Sequence, residues 1–395
     1  MSNQQIPFNK PFLTGKETEY IEDAVMFGKI SGNGDFTKKC HAFFQERYNF
    51  SKTLLTTSCT DALEMSAILV DIQPGDEVIM PAYTFVSTAN AFILRGANIR
   101  FVDSREDHPG MDEDLIEELI TPKTKAIVVV HYAGISCDMQ KILDIADKHD
   151  LYVIEDAAQA IESYYTFPDG TRKPLGSIGH LGCFSFHETK NIIAGEGGML
   201  VVNDEELRSR AEIIWEKGTN RSAFFRGEVD KYGWKDIGSS FLPSELTSAF
   251  LFAQLENIEK IQSRRKLIWQ RYNGALSERV SELNIQSPFV PAYSTNNAHM
   301  FYLVTESYEQ RTELLSYLKE KKILAVFHYL SLHKSDFFAD KHDGRDLPMS
   351  DRYSDRLLRL PLYYDLTDAQ QNYIIRSIKR FVEEKISDKY FLQSA

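Results

Sequence analysis

Leu151-Tyr-Val-Ile-Glu155-Asp156-Ala-Ala-Gln159 is an apolar run that ends in two acids. A short apolar run of this kind reads as a strand buried on both faces, the type found in parallel sheets. Outward from it, similar runs recur at Lys52–Thr57, Glu77–Met80, Asn98–Val102, Lys125–Val130, Leu181–Phe186 and Met199–Val202. Helical periodicity separates the earlier ones, over Asp61–Val70, Ser87–Leu94, Asp112–Ile120 and Met139–His149. Strands alternating with helices need crossover connections, so an α/β fold with a mostly parallel central sheet is predicted. A helical stretch over Ser244–Leu276 leads onward to strands at His299–Thr305 and Ile323–His328. Helices are expected near Glu309–Lys321 and Asp368–Lys385, which makes the rest a smaller α+β unit. The expected division is 1–250, a large domain with an N-terminal helical segment, and 251–395, a small C-terminal domain. The turn-rich Phe167–Leu175 segment reads as a surface hairpin or loop.

At 395 residues the chain can bury more than one core, and 26% charged residues are ordinary for a globular enzyme. A net charge of −12 argues against nucleic acid as a partner, though a locally positive site for a small anion remains compatible with it. The first residues show no basic segment followed by an apolar core, and no run approaches the ~20 apolar residues of a membrane span. Cys40, Cys59, Cys137 and Cys183 are scattered, as expected for reduced thiols in a cytoplasmic protein. No histidine or cysteine spacing suggests a metal.

In parallel α/β sheets, ligands gather at the carboxyl ends of the strands. Four segments fall there: Ser58 to Thr60, Pro81 to Phe85, Asp156 to Gln159, and His187 to Lys190. Cys183-Phe-Ser-Phe-His-Glu-Thr-Lys190 delivers an amine from a buried edge, and Gly195-Glu-Gly-Gly198 follows as a backbone that can turn tightly. A lysine amine and a strand-end carboxylate are what pyridoxal 5'-phosphate needs. The amine bonds to its aldehyde, and the acid keeps its ring nitrogen protonated. Hydroxyls and N–H groups at Ser58-Cys59-Thr60, where a helix begins, suit a phosphate, although Thr60 reads equally well as the helix cap. Ser185 adds a hydroxyl, Phe85 a stacking face with Tyr83 in reserve, and Gln159 a hydrogen bond to the ring oxygen. His187 and Glu188 are read as structural. No GxGxxG follows the first strand, which excludes a nicotinamide-binding Rossmann reading.

These motifs, with Val130-His-Tyr-Ala-Gly134 and Arg359-Leu-Pro361, resemble the DegT/DnrJ/EryC1/StrS nucleotide-sugar aminotransferases, which are fold-type I enzymes. The resemblance implies Lys190 as the cofactor-bonding and catalytic lysine, Asp156 as the pyridinium partner and Gln159 beside the ring hydroxyl. It places the phosphate against Cys59, Thr60 and Ser185. It implies a homodimer with composite sites, in which Ser239 and Ser240 reach the neighbouring subunit's cofactor. Further similarity at Gln73–Pro81, Lys217–Ser222, Arg226–Tyr232 and Ala298–Tyr302 points within the family to enzymes acting on dTDP-4-keto-6-deoxyglucose with L-glutamate. The implied product is dTDP-4-amino-4,6-dideoxygalactose, for a bacterial surface polysaccharide of the enterobacterial common antigen or O-antigen type. The chain departs from many relatives in having Cys59 for glycine, Ser239 or Ser240 for asparagine, and Ile161-Glu162 for a His-Gly pair. Some relatives carry histidine at the lysine position and dehydrate the sugar, so Lys190 favours transamination. Candidates for the diphosphate are Lys217, Arg221 and Arg226; for sugar or base they are Tyr232, Trp234, His299, His328 and His333. The alternatives are another nucleotide ketosugar, or a non-catalytic regulatory protein with the same fold.

Overall fold

The computed structural model describes residues 5–393. Its main sheet is built from β1 (Thr53–Thr56), β2 (Glu77–Pro81), β3 (Asn98–Val102), β4 (Thr124–Val130) and β5 (Tyr152–Asp156). After a hairpin of β6 (Tyr164–Thr166) and β7 (Arg172–Pro174), β8 (Leu181–Ser185) and β9 (Gly198–Val202) complete it. The order is β1-β9-β8-β5-β4-β2-β3, and every neighbouring pair from β8 to β3 is parallel. Only β9 opposes its neighbours, pairing antiparallel with both β1 and β8.

The period-2 alternation of strand side chains sorts the core into two layers. Ile127, Val129 and Val153 pack with Met139 and Ile142 of the helix Met139–His149. Ala126, Val128 and Ile154 point the other way, into the helices Cys59–Leu69 and Val86–Ile93. Both faces are therefore dry, and polar groups can meet ligand only at the strand ends.

A second sheet, β10 (Phe301–Val304), β11 (Val326–Phe327) and β12 (Leu357–Leu360), is antiparallel with β12 in the centre. Leu358 and Leu360 enter a core shared with Tyr272, Leu314 and Ile378 from the surrounding helices. The residue between them, Arg359, faces away from that core and towards the cavity described below.

Some expected elements differ. Asp112–Ile120 forms two 3₁₀ turns, not an α-helix, because the Asp112 carboxylate accepts the Asp114 N–H at 3.1 Å and the chain turns extended at Ile120 before Pro122. The Ser244–Leu276 stretch is two helices, Glu245–Leu255 and Ile258–Ser281, broken at Glu256-Asn257. In Ile323–His328 only Val326 and Phe327 join a ladder, since Ile323 is diverted to a parallel bridge with Ile6. Glu162 adopts a left-handed φ of 64°. It is held there by the Arg47 Nε donor at 2.8 Å and the Tyr48 hydroxyl at 2.6 Å. Among the described residues, no helix is long and apolar enough to cross a membrane, and no group of three histidine, cysteine or acidic side chains is placed to hold a metal.

Candidate active site

A cavity of about 520 Å³ lies at the carboxyl ends of β5 and β8, bounded across its mouth by β12 and the segment around His328. Lys190, Asp156, Gln159, Ser185, Cys59, Thr60, Phe85, His299 and His328 all line it. The parallel register explains why the first four converge. Asp156 ends β5 beside Cys183 of β8, and Lys190 follows β8 after one turn, its N–H donated to the His187 carbonyl.

Asp156 is buried and fixed by two donors. The Thr88 hydroxyl donates to Oδ2 at 2.7 Å and the Ala158 N–H to Oδ1 at 3.2 Å. Because the Thr88 proton is used there, the contact between Thr84 and Thr88 hydroxyls at 2.9 Å must have Thr84 as its donor. Burial pushes the Asp156 carboxyl upward, against the lowering pull of these hydrogen bonds and of the Lys190 charge. Burial pushes the Lys190 amine downward, against the raising influence of Cys59 and Asp156. Each group on its own resists ionisation, and a cationic partner between them would reverse that for Asp156.

The phosphate-sized corner is built by the start of the helix Cys59–Leu69. Ser58, not Thr60, is the cap: its hydroxyl accepts the Asp61 N–H at 3.1 Å. Thr60 instead donates to the Ser87 hydroxyl at 2.9 Å. The Cys59 and Thr60 N–H groups have no acceptor among the described residues and stand at the positive end of the helix. Gly198 makes this approach possible, because a Cβ there would lie 2.3 Å from the Ser58 carbonyl and 2.5 Å from the Cys59 nitrogen. Phe85 is 53% exposed and offers a flat face to the cavity, whereas Tyr83 is sealed in a tyrosine-rich core cluster. An anion corner, a strand-end acid, an aromatic face and a buried amine together fit pyridoxal phosphate.

The opposite wall joins His299 and His328, candidates for the sugar or base, to Tyr329 and Arg359, which sequence reasoning did not assign. Gln159 accepts the Ala133 N–H at 2.7 Å and donates through Nε2 to the Tyr329 hydroxyl at 3.0 Å. Tyr329 stacks on His328 with ring centroids 3.6 Å apart. His299 shares a hydrogen bond with Asn191 through Nδ1 at 2.9 Å. The Asn191 amide nitrogen donates to the Asn297 carbonyl, so its oxygen faces His299, and Nδ1 is the donor. That leaves His299 Nε2 as an acceptor. Burial, reinforced by the Lys190, Arg265 and Arg359 charges, holds His299 well below the usual histidine range. Arg359 completes the wall; its only signal in the sequence was the Arg-Leu-Pro motif.

The remaining candidates lie elsewhere on this chain. Ser239 and Ser240 are exposed, with Ser240 bridged to Glu216. Arg226 is engaged by Glu212 at 2.9 Å and Glu228 at 2.6 Å. Arg221 lies over the Phe225 ring, and Tyr232 is an exposed aromatic beside Phe224. His333 is buried near Asp351, away from the cavity.

The model of the DegT/DnrJ/EryC1/StrS aminotransferase family matches residues 12–379. GDP-perosamine synthase of Escherichia coli O157:H7 is 32% identical over 387 residues, spanning 96% of this chain and 99% of that protein. Spore coat polysaccharide biosynthesis protein SpsC of Bacillus subtilis strain 168 is 30% identical over 393 residues, spanning 96% and 98%. The PLP form of Spr1654 from Streptococcus pneumoniae superposes with a TM-score of 0.85 at 27% identity, covering 96% of this chain and 99% of that one. Its PMP form gives 0.86.

Proposed function

The chain belongs to the DegT/DnrJ/EryC1/StrS aminotransferase family and is a pyridoxal-phosphate-dependent sugar aminotransferase, and we propose that it aminates C4 of dTDP-4-keto-6-deoxy-D-glucose. The amine comes from L-glutamate, and the products are dTDP-4-amino-4,6-dideoxy-D-galactose and 2-oxoglutarate. The observation that carries the catalytic reading is the convergence of Lys190 and Asp156 in one buried cavity with the free N–H groups of Cys59 and Thr60. The sugar assignment is supported by the resemblance at Gln73–Pro81, Lys217–Ser222 and Arg226–Tyr232, away from that cavity, and at Ala298–Tyr302, whose His299 and Met300 line it.

When bound, pyridoxal phosphate supplies an aldehyde carbon to accept the amine and a ring that withdraws electrons from the neighbouring carbon. Cys59, Thr60 and Ser185 would hold its phosphate, Phe85 would cover one ring face, and Gln159 would serve the ring hydroxyl. Asp156 would hold the proton of the ring nitrogen. Lys190 Nζ removes the α-proton of L-glutamate in the first half-reaction and delivers a proton to C4 of the sugar in the second. Burial favours the neutral amine this work requires, and general acid–base transfer of this type contributes about 10²–10⁴-fold. A single lysine can protonate only the sugar face turned towards it, so the orientation of the sugar sets the epimer.

The same reading assigns residues 1–250 to the cofactor-binding domain and 251–395 to the smaller one. It also makes the working unit a cytoplasmic homodimer. Ser239 and Ser240 are exposed and follow the exposed Trp234 and Ile237 in the chain, apolar side chains that a second copy would cover while the serines reach its phosphate corner. A fully active monomer in sedimentation at assay concentrations would refute this composite site. A different nucleotide ketosugar is the second reading, favoured by the GDP in the name of a relative 32% identical to this chain. The deciding experiment incubates the purified protein with dTDP-4-keto-6-deoxyglucose and L-glutamate and reads the H3–H4 coupling of the product. A small coupling marks the axial, galacto amine; a large axial–axial coupling would reject the proposed epimer, and no product would reject the sugar.

A further inference from the structure

Arg359 is a cation without a counterion. Among the described residues it makes no ion pair, although it lines the same cavity as Lys190. Its Nη2 donates to the Phe327 carbonyl at 3.2 Å, its Nε is buried without any acceptor, and its guanidinium lies 4.6 Å from the centre of the Phe8 ring. Burial, only partly offset by the Tyr132, Tyr329 and Tyr83 hydroxyls, holds it below the usual arginine range. Its charge in turn pushes Lys190, His299 and His328 downward, after the larger effect of burial in each case. All four groups line the same cavity. The lining acids lie elsewhere: Asp156 is bound by Thr88 and Ala158, and the exposed Glu196 lies 3.7 Å from His187.

An arginine left with a buried, unpaired N–H is costly unless a ligand completes it. Three anionic partners enter this site: the cofactor phosphate, the nucleotide diphosphate and the amino donor, which brings an α- and a distal carboxylate. The cofactor phosphate is accounted for by the helix start at Cys59 and Thr60, whose N–H groups have no acceptor among the described residues. The nucleotide diphosphate is attached at the sugar's far end, several bonds from the carbon that Lys190 serves. The amino donor alone carries a carboxylate one bond from the carbon whose proton Lys190 removes. We propose that Arg359 binds the α-carboxylate of the amino donor, and so fixes the Cα–H bond towards Lys190. A fork of N–H donors matches a carboxylate in plane, which lysine cannot reproduce. His299, neutral and with Nε2 as an acceptor, adds no competing charge. The inference rests on the aminotransferase reading and deepens it by naming the residue that anchors the donor.

The test titrates the pyridoxal-phosphate-loaded protein calorimetrically with 2-oxoglutarate, which occupies the donor site without needing turnover. Arg359→Gln should weaken binding about 10- to 100-fold, and Arg359→Lys should fall between it and the natural residue. The visible absorbance of the bound cofactor and the melting temperature report separately that both variants fold and load. The same titration with 2-oxoglutaramate, whose distal carboxylate is an amide, should show the same loss. Unchanged affinity for 2-oxoglutarate in loaded Arg359→Gln would overturn the proposal, and so would a penalty that disappears with 2-oxoglutaramate. Failure of the natural protein to take up cofactor would instead overturn the reading on which the inference rests.

Discussion

The two walls of the cavity are built in different ways. The cofactor wall comes from the ends of neighbouring parallel strands, so Asp156 and Cys183 are paired in register and Lys190 follows seven residues later. The opposite wall gathers His299, Tyr329 and Arg359 from the connections and centre of a small antiparallel sheet. The first wall is dictated by local geometry within one sheet, whereas the second exists only after distant segments have packed. The proposed reading puts the cofactor's contacts on the first and the substrates' contacts on the second. They touch where Gln159 donates to Tyr329.

If this contrast is right, damage to the cofactor wall should disable the enzyme for all substrates. The largest effect is expected from Lys190→Ala, which should lose about 10³-fold or more in turnover while its circular dichroism is unchanged. A rate within tenfold of the natural enzyme would remove Lys190 from the mechanism. Asp156→Asn comes next. An amide cannot hold the ring nitrogen's proton as a carboxylate does, and each unit of pKa lost there is worth about 1.4 kcal/mol. Proton removal from glutamate, followed in single turnover, should slow about 100-fold or more, with cofactor still held through its phosphate. Gly198→Ala should act on affinity instead of chemistry. Its Cβ would displace the Ser58–Cys59 backbone from 2.3 Å, and overpacking of this sort costs about 1–3 kcal/mol. Equilibrium titration should therefore show cofactor affinity reduced by about 5- to 100-fold, and an unaltered value would separate the phosphate from that helix start.

The smallest expected effect probes the junction of the walls. Tyr329→Phe removes the acceptor for Gln159 Nε2, a loss worth about 1 kcal/mol. Steady-state rates should fall less than about tenfold, with the loss seen in KM for substrate more than in cofactor uptake. A collapse of cofactor affinity would show that the walls are not energetically separable.

The contrast also explains what could be read from the sequence. Leu151–Gln159 and Leu181–Lys190 announce themselves because a buried strand followed by a polar residue is a local pattern. Arg359 does not. Leu357-Leu-Arg-Leu360 is a short mixed run, and only the pairing of β12 between β10 and β11 shows which way the arginine faces. Thr84 and Thr88 were legible in principle as hydroxyls one helical turn apart, but their target, Asp156, is 68 residues beyond Thr88. The helix break at Glu256-Asn257 carries no glycine or proline to mark it. At Asp112 a side chain that competes for the backbone reads as a helix start, because both use the same residue type.

The central claim is that one amine, that of Lys190, is where the cofactor attaches. Borohydride reduction of the loaded protein, followed by proteolysis and mass spectrometry, locates that attachment directly. The reduced cofactor is expected on the peptide containing Lys190 and on no other, with loss of the visible absorbance in step with labelling. A label on a different lysine, or full absorbance loss with Lys190 unmodified, would contradict the account.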